Sequence, residues 1–171
     1  MSINIEQFCT CSSTYKQYKQ AINPYPQNEN SILAIEELIK SLIAPITNYY
    51  GIENFDLNYG FSSMELIKFL KRKNPITGQK NGRICPKIDQ HAAHEINRHG
   101  DYICKHLGAA CDFQIKNVNS KEVITWIKSN LNFDSIYFYG SDRPIHISYA
   151  PHNRRAIWTF TPQNTPIKFK P

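Results

Sequence analysis

The sequence predicts an α+β fold: a single domain in which an antiparallel sheet is flanked by helices. Three observations predict it. The chain has 171 residues, the usual span of one domain. Apolar residues recur at helical spacing in residues 31–51, 62–70 and 120–131, and alternate with polar ones in residues 55–61. The chain then closes with a helix followed by three short strand-like runs, whose short links suit antiparallel neighbours. With 41% hydrophobic and 20% charged residues, the composition is that of a globular protein. A chain of this length can bury a core without disulfides or a structural metal as a staple.

Taken in order, residues 1–30 are polar and rich in Tyr, Gln and Asn, with Pro24 and Pro26. They read as an irregular lead-in draped over a domain that spans residues 31–171. Ser31 suits the N-cap of a helix whose inner face is Ile32, Ile35, Leu38, Ile39, Leu42 and Ile43. Pro45 is expected to kink this helix near its end, and Gly51 to terminate it. Residues 55–61 alternate as a half-buried strand does. Ser62 or Ser63 caps the next helix, which carries Leu66, Ile67, Phe69 and Leu70. That helix leaves through Lys71-Arg72-Lys73, where basic side chains complement the macrodipole. Residues 74–87 hold Pro75, Gly78, Gly82 and Pro86 and read as a loop. A strand over 108–115, a helix over 120–131 and strands over 135–139, 145–149 and 156–161 complete the pattern.

The charge balance is basic, +6 with neutral histidines and an isoelectric point near 9.0. It favours anionic partners in general, such as nucleic acid, a membrane surface or a cell-wall polymer. It selects none of them, because the basic residues form no long run. No stretch of about 18 apolar residues exists, which excludes a membrane-spanning helix. The first residues, MSINIEQFCTCSS, lack both a basic segment and a long apolar segment, so the expectation is a cytoplasmic protein without a secretory signal. Cys9, Cys11, Cys85, Cys104 and Cys111 make an odd set without framework spacing and read as reduced thiols. Cys9-Thr10-Cys11 has the look of half a metal site, but no second half follows, which favours packing thiols. Tyr49-Tyr50 and Arg154-Arg155 are the residues a nucleic-acid surface would use; a helix end and a solvated strand edge account for them better.

The chemistry concentrates in the histidines. His91, His94, His99 and His106 crowd one segment, beside acidic residues. Zinc takes imidazole nitrogen and carboxylate oxygen, and a catalytic zinc keeps three protein ligands and one open position. His91 and His94 are three apart, a spacing that puts both on one face of a helix. The H-E-x-x-H of helical metalloproteases is absent. Asp112 lies between Cys111 and Phe113 in an apolar strand, where a carboxylate is costly unless paired, hydrogen-bonded or metal-bound. His146 and Ser148 share a strand face opposite Ile145 and Ile147.

These residues resemble the zinc D-Ala-D-Ala carboxypeptidase and phage endolysin peptidase family, whose fold is shared with the Hedgehog signalling domain. Tyr59-Gly60-Phe61-Ser62-Ser63 is similar to the family's turn after its first strand. Gly108-Ala109-Ala110-Cys111-Asp112-Phe113 matches G-x-A-x-D-F. Phe133-Asp134 and Ile145-His146-Ile147-Ser148-Tyr149 resemble the closing strands, so the likeness covers roughly residues 54–150. It implies a Hedgehog/DD-peptidase-like fold with a Zn2+ ion on His91, Asp112 and His146. The alternative to His91 is His106. The family's first His lies seven residues before the Asp; here that position is Lys105, and His106 is one residue nearer. Asn81-Gly82 and Asp89-Gln90-His91 resemble the family's approach to that His, with a longer link before Gly108, and Asp89 is placed to orient the His91 ring. The family's general base stands three residues before the last His, where this chain has Arg143; Asp142 is the candidate base and Arg143 a candidate anion clamp, or equally a surface salt bridge.

Three function classes follow. The first is a zinc-dependent peptidase or amidase acting on a small peptide, with a cell-wall stem peptide among the candidates; an endolysin-like member would leave the cell by a non-classical route. The second is a binding module of the same fold that keeps the metal and has lost the reaction. The third is a basic nucleic-acid-binding domain, which the residue pattern favours least.

Overall fold

The computed structural model describes residues 3–82, 90–163 and 165–171. Its N-terminal part corrects the irregular reading of residues 1–30. Helices α1 (Ile5–Thr10) and α2 (Ser13–Tyr18) stand there instead. Asn4 and Gln7 form a reciprocal capping box on α1, and the Ser12 side chain caps α2. Each helix is six residues long, too short for an apolar period to show in the sequence. Phe8 and Cys9 of α1 are buried in the main core, which is what holds so short a helix in place.

The next helical stretch begins earlier than Ser31. Asn28 is the N-cap of α3 (Glu29–Leu38), and Ser31, in its first turn, reaches across to Glu95. A π-turn (Ile39–Ile43) joins α3 to α4 (Ala44–Tyr50), just ahead of Pro45. Pro45 has no N–H to give the preceding turn, and its ring needs room there; widening that turn accommodates both without a break. Gly51, at φ +86°, ends the run.

Strand β1 (Phe55–Tyr59) leads to α5 (Met64–Lys71), capped by Ser63. Strand β2 (Ala109–Ile115), helix α6 (Ser120–Asn130) and strands β3 (Ser135–Phe138), β4 (Ile145–Tyr149), β5 (Ala156–Phe160) and β6 (Pro166–Lys168) follow. They build one six-stranded sheet in the order β1-β2-β4-β3-β5-β6. All neighbours are antiparallel except β3 and β5, which are parallel. The expectation of a purely antiparallel sheet is thereby corrected. Residues 150–155 step over the start of β3 instead of turning back beside β4. Skipping one strand needs about 10 Å, and a six-residue link reaches roughly 20 Å, so a short link permits either course. Backbone bonds from Arg155 to Phe133 and from Ala156 to Asp134 fasten the crossing.

One face of the sheet carries Phe55, Cys111, Phe113, Ile115, Ile136, Ile145 and Ile147 into the core. Ile35, Leu38, Leu42 and Ile46 close over it from α3 to α4, and Val123, Ile124 and Ile127 from α6. Phe113 is fully buried and stacks on Phe55; its loss to alanine would cost about 3–5 kcal/mol. The alternation that sends these residues inward sends Asp112, His146, Ser148, Ser135 and Tyr137 to the opposite face. Among the described residues no helix is long and apolar enough to cross a membrane.

Candidate metal centre

Two of the predicted residues meet because their strands do. Asp112 of β2 and His146 of β4 are direct partners in the ladder. Tyr59 of β1 faces Asp112 from the other side, across an irregularity in β1. Tyr137 of β3 faces His146 and stacks flat on its ring, centroids 4.3 Å apart and planes at 13°. Gly108, at φ +80°, opens β2, and a side chain there would run into the Tyr149 carbonyl. The small residues before Asp112 thus let β2 press against the end of β4.

His91 arrives from outside the sheet, on a single 3-10 turn (Gln90–Ala92). Several contacts hold that turn. The Ser62 N–H donates to the His91 carbonyl at 2.8 Å. His91 Nδ1 lies 2.7 Å from the Gly60 carbonyl, and Tyr59 packs edge-on against the ring. Gly60 lacks a side chain where Phe8 of α1 comes close. After the turn, buried Glu95 accepts from Gln27 N, Asn28 N and Ser31 Oγ, which ties the segment to the start of α3.

The result is a convergence of His91, Asp112 and His146, whose donor atoms all lie within 4.8 Å of one another. His146 Nδ1 is 2.9 Å and His91 Nε2 is 3.4 Å from the same oxygen, Oδ1 of Asp112. Side-chain exposures are 5% for His91, 28% for Asp112 and 1% for His146, so the carboxylate is the part open to solvent. Burial works to raise the Asp112 pKa, but the His91 and His146 rings beside it more than offset this and hold the carboxyl well below the usual range.

The proton arithmetic of this group fits a cation. A carbonyl can only accept, so His91 Nδ1 must carry the proton that bonds Gly60. In a neutral His91 that leaves Nε2 as a bare lone pair aimed at a carboxylate oxygen, two acceptors facing each other. Either the ring takes a second proton or a metal ion lies between them. A backbone carbonyl on the far nitrogen is also the usual way a metal-binding histidine is oriented. Two imidazole nitrogens and one carboxylate oxygen are a donor set for a divalent transition metal with a position left open.

The other predicted residues lie elsewhere. His106 is exposed, its Nε2 3.2 Å from Arg154 Nη1, and is not among the converging donors. His94 shares no helix face with His91: the turn ends at Ala93, at φ +46°, and His94 Nε2 accepts from Gly108 N at 3.1 Å. Burial lowers the His94 pKa, consistent with a neutral acceptor. Asp142 and Arg143 sit on the exposed turn between β3 and β4, with the Arg143 carbonyl bonded to Ser120. Asp89 and Cys85 lie outside the described residues. Burial pushes the thiols of Cys9 and Cys11 up to about 12 and about 11, and neither belongs to the converging donors. Cys104 and Cys111 are buried as well. Arg154 and Arg155 are engaged within the chain, Arg154 on Asp134 and Arg155 on the carbonyls of Leu131 and Lys128 at the end of α6. Tyr49 and Tyr50 pack against Trp126.

Several contributors escaped the sequence reading. The Gly60 carbonyl is invisible there because any residue has one. Tyr137 carried a signal, an aromatic two residues into a strand, but nothing tied it to His146 without the register. Gln90 entered the sequence reading only as part of Asp89-Gln90-His91, with no partner assigned to it, and Glu95 reads as an ordinary polar residue. Comparison with protein-family models, curated proteins and solved structures gives no match.

Proposed function

We propose that this chain is a zinc-dependent peptidase or amidase of Hedgehog/DD-peptidase-like fold. It hydrolyses a small peptide, and a cell-wall stem peptide is the substrate class that the motif resemblance favours. His91, Asp112 and His146 hold the zinc. The observation that carries this reading is the convergence of His91, Asp112 and His146, whose donor atoms all lie within 4.8 Å of one another while His91 Nδ1 is held 2.7 Å from the Gly60 carbonyl. The order G-x-A-x-D before I-H-I-S-Y supports it.

Zinc on three protein ligands supplies an acidified water and a Lewis acid for a scissile carbonyl. The chain's own groups do the rest. The Gly60 carbonyl keeps the His91 proton on Nδ1, and Tyr137 keeps the His146 ring flat in its slot. Asp112, the most exposed of the three side chains, leaves solvent and substrate an approach. Asp142 is assigned as the group that takes a proton from the attacking water, and Arg143 as the clamp for a substrate carboxylate. What supports these two roles is that their turn runs directly into the strand of His146. A specific observation favours the binding-module reading: Arg143 stands where the resemblance expects an acid.

The test is twofold. Elemental analysis after zinc reconstitution is expected to give about one zinc per chain. Incubation with D-Ala-D-Ala and L-Ala-D-Glu peptides, followed by mass spectrometry, is expected to show cleavage that a chelator stops and zinc restores. Bound zinc with every peptide intact would leave the binding module; no bound metal would end both readings.

A further inference from the structure

Asp134 stands where the link from β4 to β5 crosses the start of β3, and it is wholly buried. Its Oδ1 accepts from Arg154 Nε at 2.8 Å and from the Arg154 backbone N–H at 3.1 Å. Its Oδ2 accepts from Arg154 Nη2 at 2.6 Å and from Gln90 Nε2 at 2.7 Å, with Ser148 Oγ at 3.5 Å. Gln90 is the residue before His91. Ser148 lies two residues beyond His146 on the same strand face, and its Oγ also bonds Ser135.

We infer that the Asp134–Arg154 pair is a positioning device for the metal centre: through Gln90 it fixes the turn that presents His91. The inference rests on the proposed metal site. Neither Asp134 nor Arg154 belongs to the converging donors.

Two features separate this role from fold maintenance alone. The crossing is already fastened by the backbone bonds of Arg155 and Ala156, so the Gln90 arm adds nothing that the topology needs. Gln90 is itself wholly buried, and among the described residues its Oε1 finds no hydrogen-bond partner. A buried amide left half-satisfied is costly, and such groups persist where something else dictates their place. Here the Asp134 carboxylate dictates it: turning the amide over would set Gln90 Oε1 against Asp134 Oδ2 and lose the bond. The chain accepts the orphan oxygen and keeps the turn where His91 meets Asp112.

The experiment compares the full-length wild type with Gln90→Leu, Asp134→Asn and, as a reference, Asp112→Ala. Zinc Kd is measured by competition with a chromogenic chelator. The melting temperature is measured without zinc, and the visible spectrum with cobalt bound in zinc's place. Gln90→Leu is expected to weaken zinc binding at least about tenfold, as loss of a ligand-orienting contact does, and to shift the cobalt bands, at a temperature well below its zinc-free melting temperature, which falls as Asp134 loses one donor. Asp134→Asn is expected to move in the same direction; should it not fold, Gln90→Leu decides alone. A wild-type Kd and cobalt spectrum in Gln90→Leu would overturn the inference, whatever happens to its melting temperature. Failure of the metal site itself looks different: Asp112→Ala binds zinc as well as the wild type, or the wild type binds none. Either result removes the inference together with its premise.

Discussion

Replacing His91 by alanine separates the two histidines that the sequence left in competition. His91 contributes one of the three converging side chains, buried and oriented by Gly60. A full four-ligand zinc site binds with about 10–16 kcal/mol, so one imidazole carries roughly 3 kcal/mol, about a hundredfold in Kd. His106 is exposed, and its contact with Arg154 Nη1 at 3.2 Å lies apart from the converging donors. His106→Ala is expected to change zinc affinity by less than about twofold. The same comparison can be read in stability. Zinc at about a hundred times its Kd adds about 2.7 kcal/mol to the folded state, roughly 5–11 °C in melting temperature for a chain of this length. That increment is expected in the wild type and nearly in full in His106→Ala, and to fall to about 0.4 kcal/mol in His91→Ala at the same zinc concentration. His106→Ala losing zinc while His91→Ala keeps it would move the third ligand to His106 and overturn the Gly60 bond as a metal-site contact.

Two further outcomes follow from the geometry. Gly108→Ala forces a side chain into a left-handed backbone at φ +80° and against the Tyr149 carbonyl, so it is expected to destabilise the fold by about 1–3 kcal/mol; an unchanged urea midpoint would refute this. Burial raises the Asp134 pKa, but the bonds from Arg154 and Gln90 outweigh it and hold the carboxyl below its usual value. A group depressed in the folded state stabilises it fully above the unfolded value of about 3.9, and loses that contribution as pH falls through the folded value. The wild type should therefore lose stability more steeply than Asp134→Asn below about pH 4, and parallel urea series for the two proteins in that range would contradict the assignment.

The parts of the molecule legible in the sequence are those written in local periodicity. Strands β2 and β4 lie where alternation puts them, because a period of two with one buried face admits little else. Helix α6 carries its apolar stripe in plain view. What was not legible depends on distance through space. The choice between His91 and His106 turns on a backbone carbonyl at Gly60 and on the brace of Glu95 against Ser31, neither of which any spacing reveals. The His91–His94 spacing suits a helix, and the turn that forms instead is imposed by partners in α3 and at Ser62. Asp134 entered the sequence reading only beside Phe133, as part of the resemblance, and its partner Arg154 is brought to it by the crossing to β5. That parallel pairing had no local signal, since a six-residue link serves a hairpin and a crossing equally.

The three donors are not held by structure of equal rigidity. Asp112 and His146 sit on adjacent interior strands, in ladder positions that open only when the sheet does. His91 sits on one turn of 3-10 helix kept in place by side-chain and single backbone bonds, the kind of unit that opens locally at far lower cost. An ion at this centre therefore has a fixed floor and a hinged third wall. On the proposed metal reading, all three groups together would set its affinity, and the opening of that wall would set its residence time. Ion exchange can then be fast or slow without any change in the sheet, and contacts that stiffen the turn lengthen the stay of the ion while leaving the floor as it is.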